Sequence, residues 1–119
     1  MFNTVTLVGR PTREPQVSTT PKGTPVCRFT LAVDRDYQGA DGKRPTDFWP
    51  VTIFGPYGEK IATHLTKGRL VLVHGSVHID QSKDEDGTYH TFPFVTCSRV
   101  QFLDRPVGGA DDAQDAPAE

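Results

Sequence analysis

The 119-residue sequence has only two cysteines, one methionine and one tryptophan, and it contains no long apolar run. With nothing approaching the roughly 20 apolar residues of a membrane span, no transmembrane helix is expected. The start, Met1-Phe2-Asn3-Thr4, lacks the basic and apolar regions of a signal peptide, so a cytoplasmic location is expected. Cys27 and Cys97 lie far apart, each inside an apolar stretch, with no CxxC and no His-rich neighbour. That pattern predicts two buried thiols rather than a disulfide or a metal site. Catalytic signatures are missing too: no HExxH, no GxSxG and no phosphate-cradling glycine loop accompanies His64, His74, His78 and His90. His74 and His78 share a strand face but would stand about 13 Å apart, too far to chelate one metal ion. Asp84, Glu85 and Asp86 read as a soluble hairpin tip rather than a calcium site. Neither a metal nor a cofactor is expected, and the chain does not read as an enzyme.

A strong charge of either sign is also lacking, since the formal net charge is −2. Setting aside Arg105 and the tail acids Asp111, Asp112, Asp115 and Glu119, the 13 basic and 15 acidic residues become 12 and 11 over residues 1–104. A nearly neutral domain neither implies nor excludes nucleic acid, because a groove needs only local positive potential. The stretch 106–119 has one branched aliphatic residue and no aromatic, so it cannot offset the entropy of being ordered. The expected organisation is one domain, residues 1–104, followed by a flexible acidic tail, 105–119.

What the sequence does have is the punctuation of an all-β protein, with Gly and Pro clusters between short runs rich in Val, Thr, Phe and Ile. Strands are predicted over Phe2–Arg10, Val26–Val33, Phe48–Phe54, Leu70–Ile79 and Tyr89–Val100. Gly9 inside the first run signals a bulge or bend. The second alternates Cys27, Phe29, Leu31 and Val33 against Val26, Arg28, Thr30 and Ala32, and the Leu-Val-Leu-Val centre of the fourth predicts burial on both sides. One helix is predicted over Pro56–Gly68, with Ile61 and Leu65 on its apolar stripe, Pro56 at its start and Gly68 as its stop. Five strands with one helix between the third and fourth are the order of an OB-fold barrel, which binds oligonucleotides or oligosaccharides on one face.

Several stretches carry a closer likeness: Val5-Thr6-Leu7-Val8-Gly9-Arg10, Glu14-Pro15-Gln16-Val17, Thr20-Pro21-Lys22-Gly23, Phe29-Thr30-Leu31-Ala32-Val33, Asp47 to Gly55, Leu65-Thr66-Lys67-Gly68 and Val73-His74-Gly75-Ser76-Val77. In this order and spacing the chain resembles the bacterial single-stranded DNA-binding protein family. The resemblance implies sequence-tolerant binding of single-stranded DNA in replication, recombination and repair, and a homo-oligomer, expected as a tetramer. It implies base stacking on Tyr37, Phe48 and Phe54. Backbone phosphates would meet Arg10, Arg28, Arg35, Lys43, Arg44, Lys67 and Arg69. Trp49, Lys60, His78, Lys83, Tyr89 and Phe92 are further candidates, although strand parity turns Trp49 away from Phe48 and Phe54. The open edge of the barrel makes the Met1–Val8 run a candidate to pair with its copy in another subunit.

The chain also departs from the family pattern. Ser82 stands where a stacking aromatic is expected, acids crowd the hairpin after it, and Pro50 and Pro56 occupy positions that are often basic. The family's apolar tail tip is absent, so partner docking through the tail is not carried over. Two other roles stay open at this level. An assembly subunit of the primosomal type would bury Tyr37, Phe48 and Phe54 in a subunit contact, and a sugar-binding module would set polar clusters beside a lone aromatic.

Overall fold

A computed structural model of the chain describes residues 1–104. The expected acidic tail, 105–119, lies outside the described residues. The elements are β1 (Val5–Pro11), β2 (Gln16–Thr19), β3 (Pro25–Asp34), β4 (Thr46–Phe54), α1 (Pro56–Ala62), β5 (Val71–Lys83) and β6 (Tyr89–Phe102). The sheet order β1-β5-β6-β4-β3-β2, with a further β1–β3 pairing, closes five strands into a ring and leaves β2 attached outside β3. This is the predicted OB barrel with its helix before the fourth barrel strand. The extra strand β2 was not predicted, because all four of its residues are exposed and offer no alternation to read.

Closure depends on β1 changing partners midway. Val5–Gly9 pair with Gly75–Val71 of β5, whereas Arg10 and Pro11 pair with Ala32 and Leu31 of β3. A side chain at Gly9 would bring its Cβ within 2.2 Å of the Ala32 carbonyl oxygen, so only glycine lets the strands approach at this corner. The predicted bend at Gly9 is therefore where the barrel turns. The first strand begins later than predicted, at Val5, and Phe2 stays fully out in solvent.

A second irregularity controls which residues of β6 face inward. His74 pairs with Arg99 while Gly75 pairs with Cys97, so Ser98 is an extra residue in β6. Before this bulge the buried residues are odd, Val95 and Cys97; after it they are even, with Val100 fully buried and Phe102 packed against the core. Ser98 Oγ donates to the His74 carbonyl across the bulge at 3.2 Å.

The core joins Cys27, Phe29 and Leu31 of β3 to Val51 and Ile53 of β4, Val71 and Val73 of β5, and Val95, Cys97 and Val100 of β6, with Ile61 and Leu65 closing one end. Leu70 and Leu72 are half-buried, so β5 is covered fully on one side only. Both cysteines are free and buried, as predicted, and burial pushes the Cys97 thiol up to about 11. The helix is shorter than predicted and stops at Ala62. Beyond it the chain runs through tight turns that keep Leu65 in the core, and Gly68, at φ 86°, donates its N–H to the Pro11 carbonyl. β5 runs longer than predicted, because Asp80–Lys83 continue the ladder with Tyr89–Phe92 despite having no apolar alternation. That extension forms an exposed two-stranded arm projecting from the barrel.

The bulge gives a test of this packing. A Cβ at Gly75 would lie 2.0 Å from the Thr96 carbonyl oxygen and 2.8 Å from the Cys97 Cα, both backbone atoms that cannot step aside. Gly75→Ala is therefore expected to cost about 1–3 kcal/mol or more of stability, read as a lower urea midpoint at unchanged slope. An unshifted midpoint would contradict the bulge geometry.

Candidate nucleic-acid interface

Strand register alone separates an inner from an outer face. In the β3–β4 ladder the inward residues are opposed as Cys27 with Ile53, Phe29 with Val51 and Leu31 with Trp49. The outward pairs are Arg28 with Thr52, Thr30 with Pro50 and Ala32 with Phe48. Phe48 and Phe54 share this outward parity and are 63% and 51% exposed. Trp49 points inward and packs against the core, which removes it from the candidate surface.

The face extends to both sides of β4. Arg10 of β1 opposes Ala32, so Arg10, Ala32 and Phe48 form one row across three strands, with Arg10 and Phe48 about 10 Å apart at the usual strand spacing. On the other side, Thr52 opposes Thr96 of β6, and Thr96 opposes Ser76 of β5. Arg28 stands in that row and shares a cavity of about 360 Å³ with Arg13, Glu14, Gln16, Thr30 and Thr52. Its guanidinium also reaches Ser18 Oγ at 3.3 Å.

Tyr37 sits in the loop between β3 and β4, 54% exposed, and a charged clamp places it. Arg35 forks onto Asp47, with Nε donating to Oδ2 at 3.0 Å and Nη2 to Oδ1 at 2.9 Å, while its Nη1 donates to the Tyr37 hydroxyl at 2.7 Å. The hydrogen bond from Arg35 holds the Asp47 carboxyl below its ordinary range, and the same contacts raise the already high Arg35 value. Arg35, expected to meet phosphate, is 46% exposed in its side chain and pairs here with Asp47 while its Nη1 holds the Tyr37 hydroxyl. Farther out in the loop, the Gly39 N–H donates to the Lys43 carbonyl at 2.7 Å, leaving Lys43 and Arg44 exposed at its tip.

Among the other expected cations, Arg69 has a structural task. It is 8% exposed, its Nε and Nη2 reach the Asp104 carboxylate and carbonyl, its Nη1 reaches the His64 carbonyl, and its guanidinium lies 4.2 Å above the Phe102 ring. Committed to the end of β6, it is not available to a phosphate. Lys67 and Lys60 are exposed, Lys67 beside Glu14 and Lys60 on α1, and Arg10 donates to the Gly68 carbonyl.

The β5–β6 arm divides the remaining candidates between its two sides. His78 opposes Phe94, Asp80 opposes Phe92 and Ser82 opposes His90 on the outward face. Ile79 with Pro93 and Lys83 with Tyr89 lie on the reverse side, where the Lys83 ammonium stands 5.4 Å from the Tyr89 ring. His78 and Phe92 therefore join the candidate surface, and Tyr89 and Lys83 do not. Phe94 was missed, although its parity with Phe92 was readable in the sequence.

Comparison with known proteins follows this geometry. The model of the single-strand binding protein family matches residues 2–103. A protein of Caldanaerobacter subterraneus subsp. tengcongensis named single-stranded DNA-binding protein is 41% identical over 108 residues, covering 91% of this chain and 72% of that protein. A Thermotoga maritima protein of the same name is 41% identical over 106 residues, covering 87% and 75%. Among solved structures, the Plasmodium falciparum SSB complex with ssDNA aligns with a TM-score of 0.74 at 24% identity, covering 87% of this chain and 96% of that one, a likeness of fold.

The clamp makes a prediction about pH. Because the folded Asp47 value is depressed, its contribution is present above the unfolded value of about 3.9 and is lost as pH falls through the lower folded value. An NMR titration of the Asp47 carboxyl is expected to show a midpoint below 3.9 or so, and Arg35→Ala should bring it back up towards that value. A midpoint at or above the ordinary one would mean that the fork is not formed in solution.

Proposed function

The chain belongs to the single-strand binding protein family, and we propose that it binds and protects single-stranded DNA, with little regard to sequence, in replication, recombination and repair. One observation carries the assignment of the site: Phe48 and Phe54 stand on an outward strand face with Tyr37 held in the adjoining loop, all three more than half exposed. Exposed flat rings suit this task because every base has a π-face, so stacking holds a strand without reading it.

In this reading bases stack on Tyr37, Phe48 and Phe54, and phosphates are met by Arg10, Arg28, Lys43, Arg44 and Lys67. Few cations remain after Arg35 and Arg69 are paired within the protein, so the affinity should fall only gently with salt, since its slope follows the number of counterions released. The chain acts as a binder rather than as an enzyme, in the cytoplasm and without a cofactor. Assembly into a homotetramer is supported by the open outer edge of β1: Val5–Gly9 pair with β5 on one side only, and Val8 is exposed.

The double variant Tyr37→Ala/Phe48→Ala tests the site. It is expected to fold normally, since both rings are exposed, and to bind oligo-dT at least about tenfold more weakly, from the lower end of the stacking range. Unchanged affinity in the folded variant would refute the assignment.

A further inference from the structure

The connection between β1 and β2 brings opposite charges to one cavity without letting them meet. Arg13 and Glu14 reach it from that loop, Arg28 reaches it from β3, and Pro50 and Thr52 of β4 line its wall, around a volume of about 360 Å³. Among the described residues no ion pair joins Glu14 to Arg13 or Arg28. Arg28 is steadied at one corner, where Nη1 donates to Ser18 Oγ at 3.3 Å, and its Nε–Nη2 edge is left open. The Glu14 carboxylate is tied by one long hydrogen bond, 3.5 Å from the Lys67 backbone N–H. All three charged residues are exposed. Unneutralised charges of both signs around one small cavity suit a ligand with acceptors on one edge and donors on another.

We propose that this cavity reads one guanine within a strand that is otherwise held without regard to sequence. Arg28 takes the acceptor edge of the base, O6 and N7, and Glu14 takes its donor edge, N1–H and the N2 amine. The proposal rests on the single-stranded DNA reading and adds one point of specificity to it. The place of the cavity supports this occupant. Pro50 and Thr52 are the two outward residues between Phe48 and Phe54 on β4, each about 6.6 Å along the strand from the nearer ring. A strand stacked on both rings therefore crosses the cavity, and a base turned off the rings falls into it. The volume is near the lower end of ligand-pocket sizes, which suits one base rather than two.

The chemistry of the walls selects among the bases. An arginine fork matches two adjacent acceptors, and guanine offers O6 and N7 side by side. A carboxylate matches two adjacent donors, and of the four bases only guanine carries a ring N–H beside an amine. Thymine has a single N–H, adenine has an amine beside a bare ring nitrogen, and cytosine pairs its acceptors O2 and N3 with one amine alone. A phosphate is a poor occupant, because Glu14 repels it. Arg13 is left to meet the phosphate that flanks the captured base.

The test titrates the full chain with a dT oligomer of about 16 nucleotides, the upper end of the range for one OB fold, and with the same oligomer carrying a single central dG, dA or dC. The dG oligomer is expected to bind about fivefold or more tightly than all-dT, from the lower end of what one bidentate base contact discriminates. The dA oligomer controls for the stronger stacking of a purine. Central 7-deazaguanine, which lacks N7, and hypoxanthine, which lacks the N2 amine, should each lose most of the gain. Glu14→Gln should abolish the dG preference without lowering the affinity for all-dT, and Arg28→Lys should abolish it because an ammonium presents no fork. A native chain that binds none of the oligomers would defeat the DNA reading itself and the proposal with it. Equal affinity for all four oligomers, an equal or greater gain with dA or dC, or a dG preference that survives Glu14→Gln would overturn the guanine site and leave the DNA reading standing.

Discussion

Everything at the interface depends on the period-two alternation of strands held in a closed ring. Closure makes one side of every strand interior, and the interior claims Cys27, Phe29, Leu31, Val51, Ile53, Val95 and Cys97. Most of the alternate residues then face out, whatever their chemistry, although Val26 at the start of β3 is covered as well. Phe48 and Phe54 are exposed because Trp49 and Ile53, their immediate neighbours in sequence, occupy the inner side together with Val51. Closure in turn depends on the corner at Gly9, where β1 leaves β5 and takes up β3. The same corner brings Arg10 into the row of Phe48.

The charges follow a division of labour. Arg35 and Arg69 pair with Asp47 and Asp104 and act as fixtures, one for the Tyr37 loop and one for the end of β6. Both aspartates lie just beyond or within strand ends, where a side chain can reach back to the preceding segment. The cations left unspent lie around the rings rather than among them. On the proposed reading, a surface of this kind would derive its hold more from stacking than from counterion release.

Much of the architecture was legible in the sequence, for physical reasons that can be named. Alternation in Val26–Val33 and in Phe48–Phe54 assigned the inner and outer sets along most of both uninterrupted strands, but it put Val26 with the outer set, and Val26 is 1% exposed. The same method fails in β6, where the extra Ser98 inverts the parity and local sequence carries no sign of it. Strand β2 and the arm beyond Ile79 were hidden because backbone pairing, not apolar patterning, maintains them. At the site, the exposure of Tyr37, Phe48 and Phe54 agrees with the expectation, whereas the commitments of Arg35 and Arg69 depend on Asp47 and Asp104, 12 and 35 residues away. No local motif announces such pairs. The split of the arm into a face with His78, Phe92 and Phe94 and a reverse side with Lys83 and Tyr89 follows from register, which only the pairing reveals.

The central claim, that one outward face of the barrel receives the strand, is tested most directly by oxidative footprinting of the side chains with and without saturating dT polymer. The account predicts protection of Tyr37, Phe48 and Phe54, with Tyr89 and Ile79 on the reverse of the arm remaining reactive. Protection of the reverse side, with Phe48 and Phe54 still open to oxidation, would contradict it.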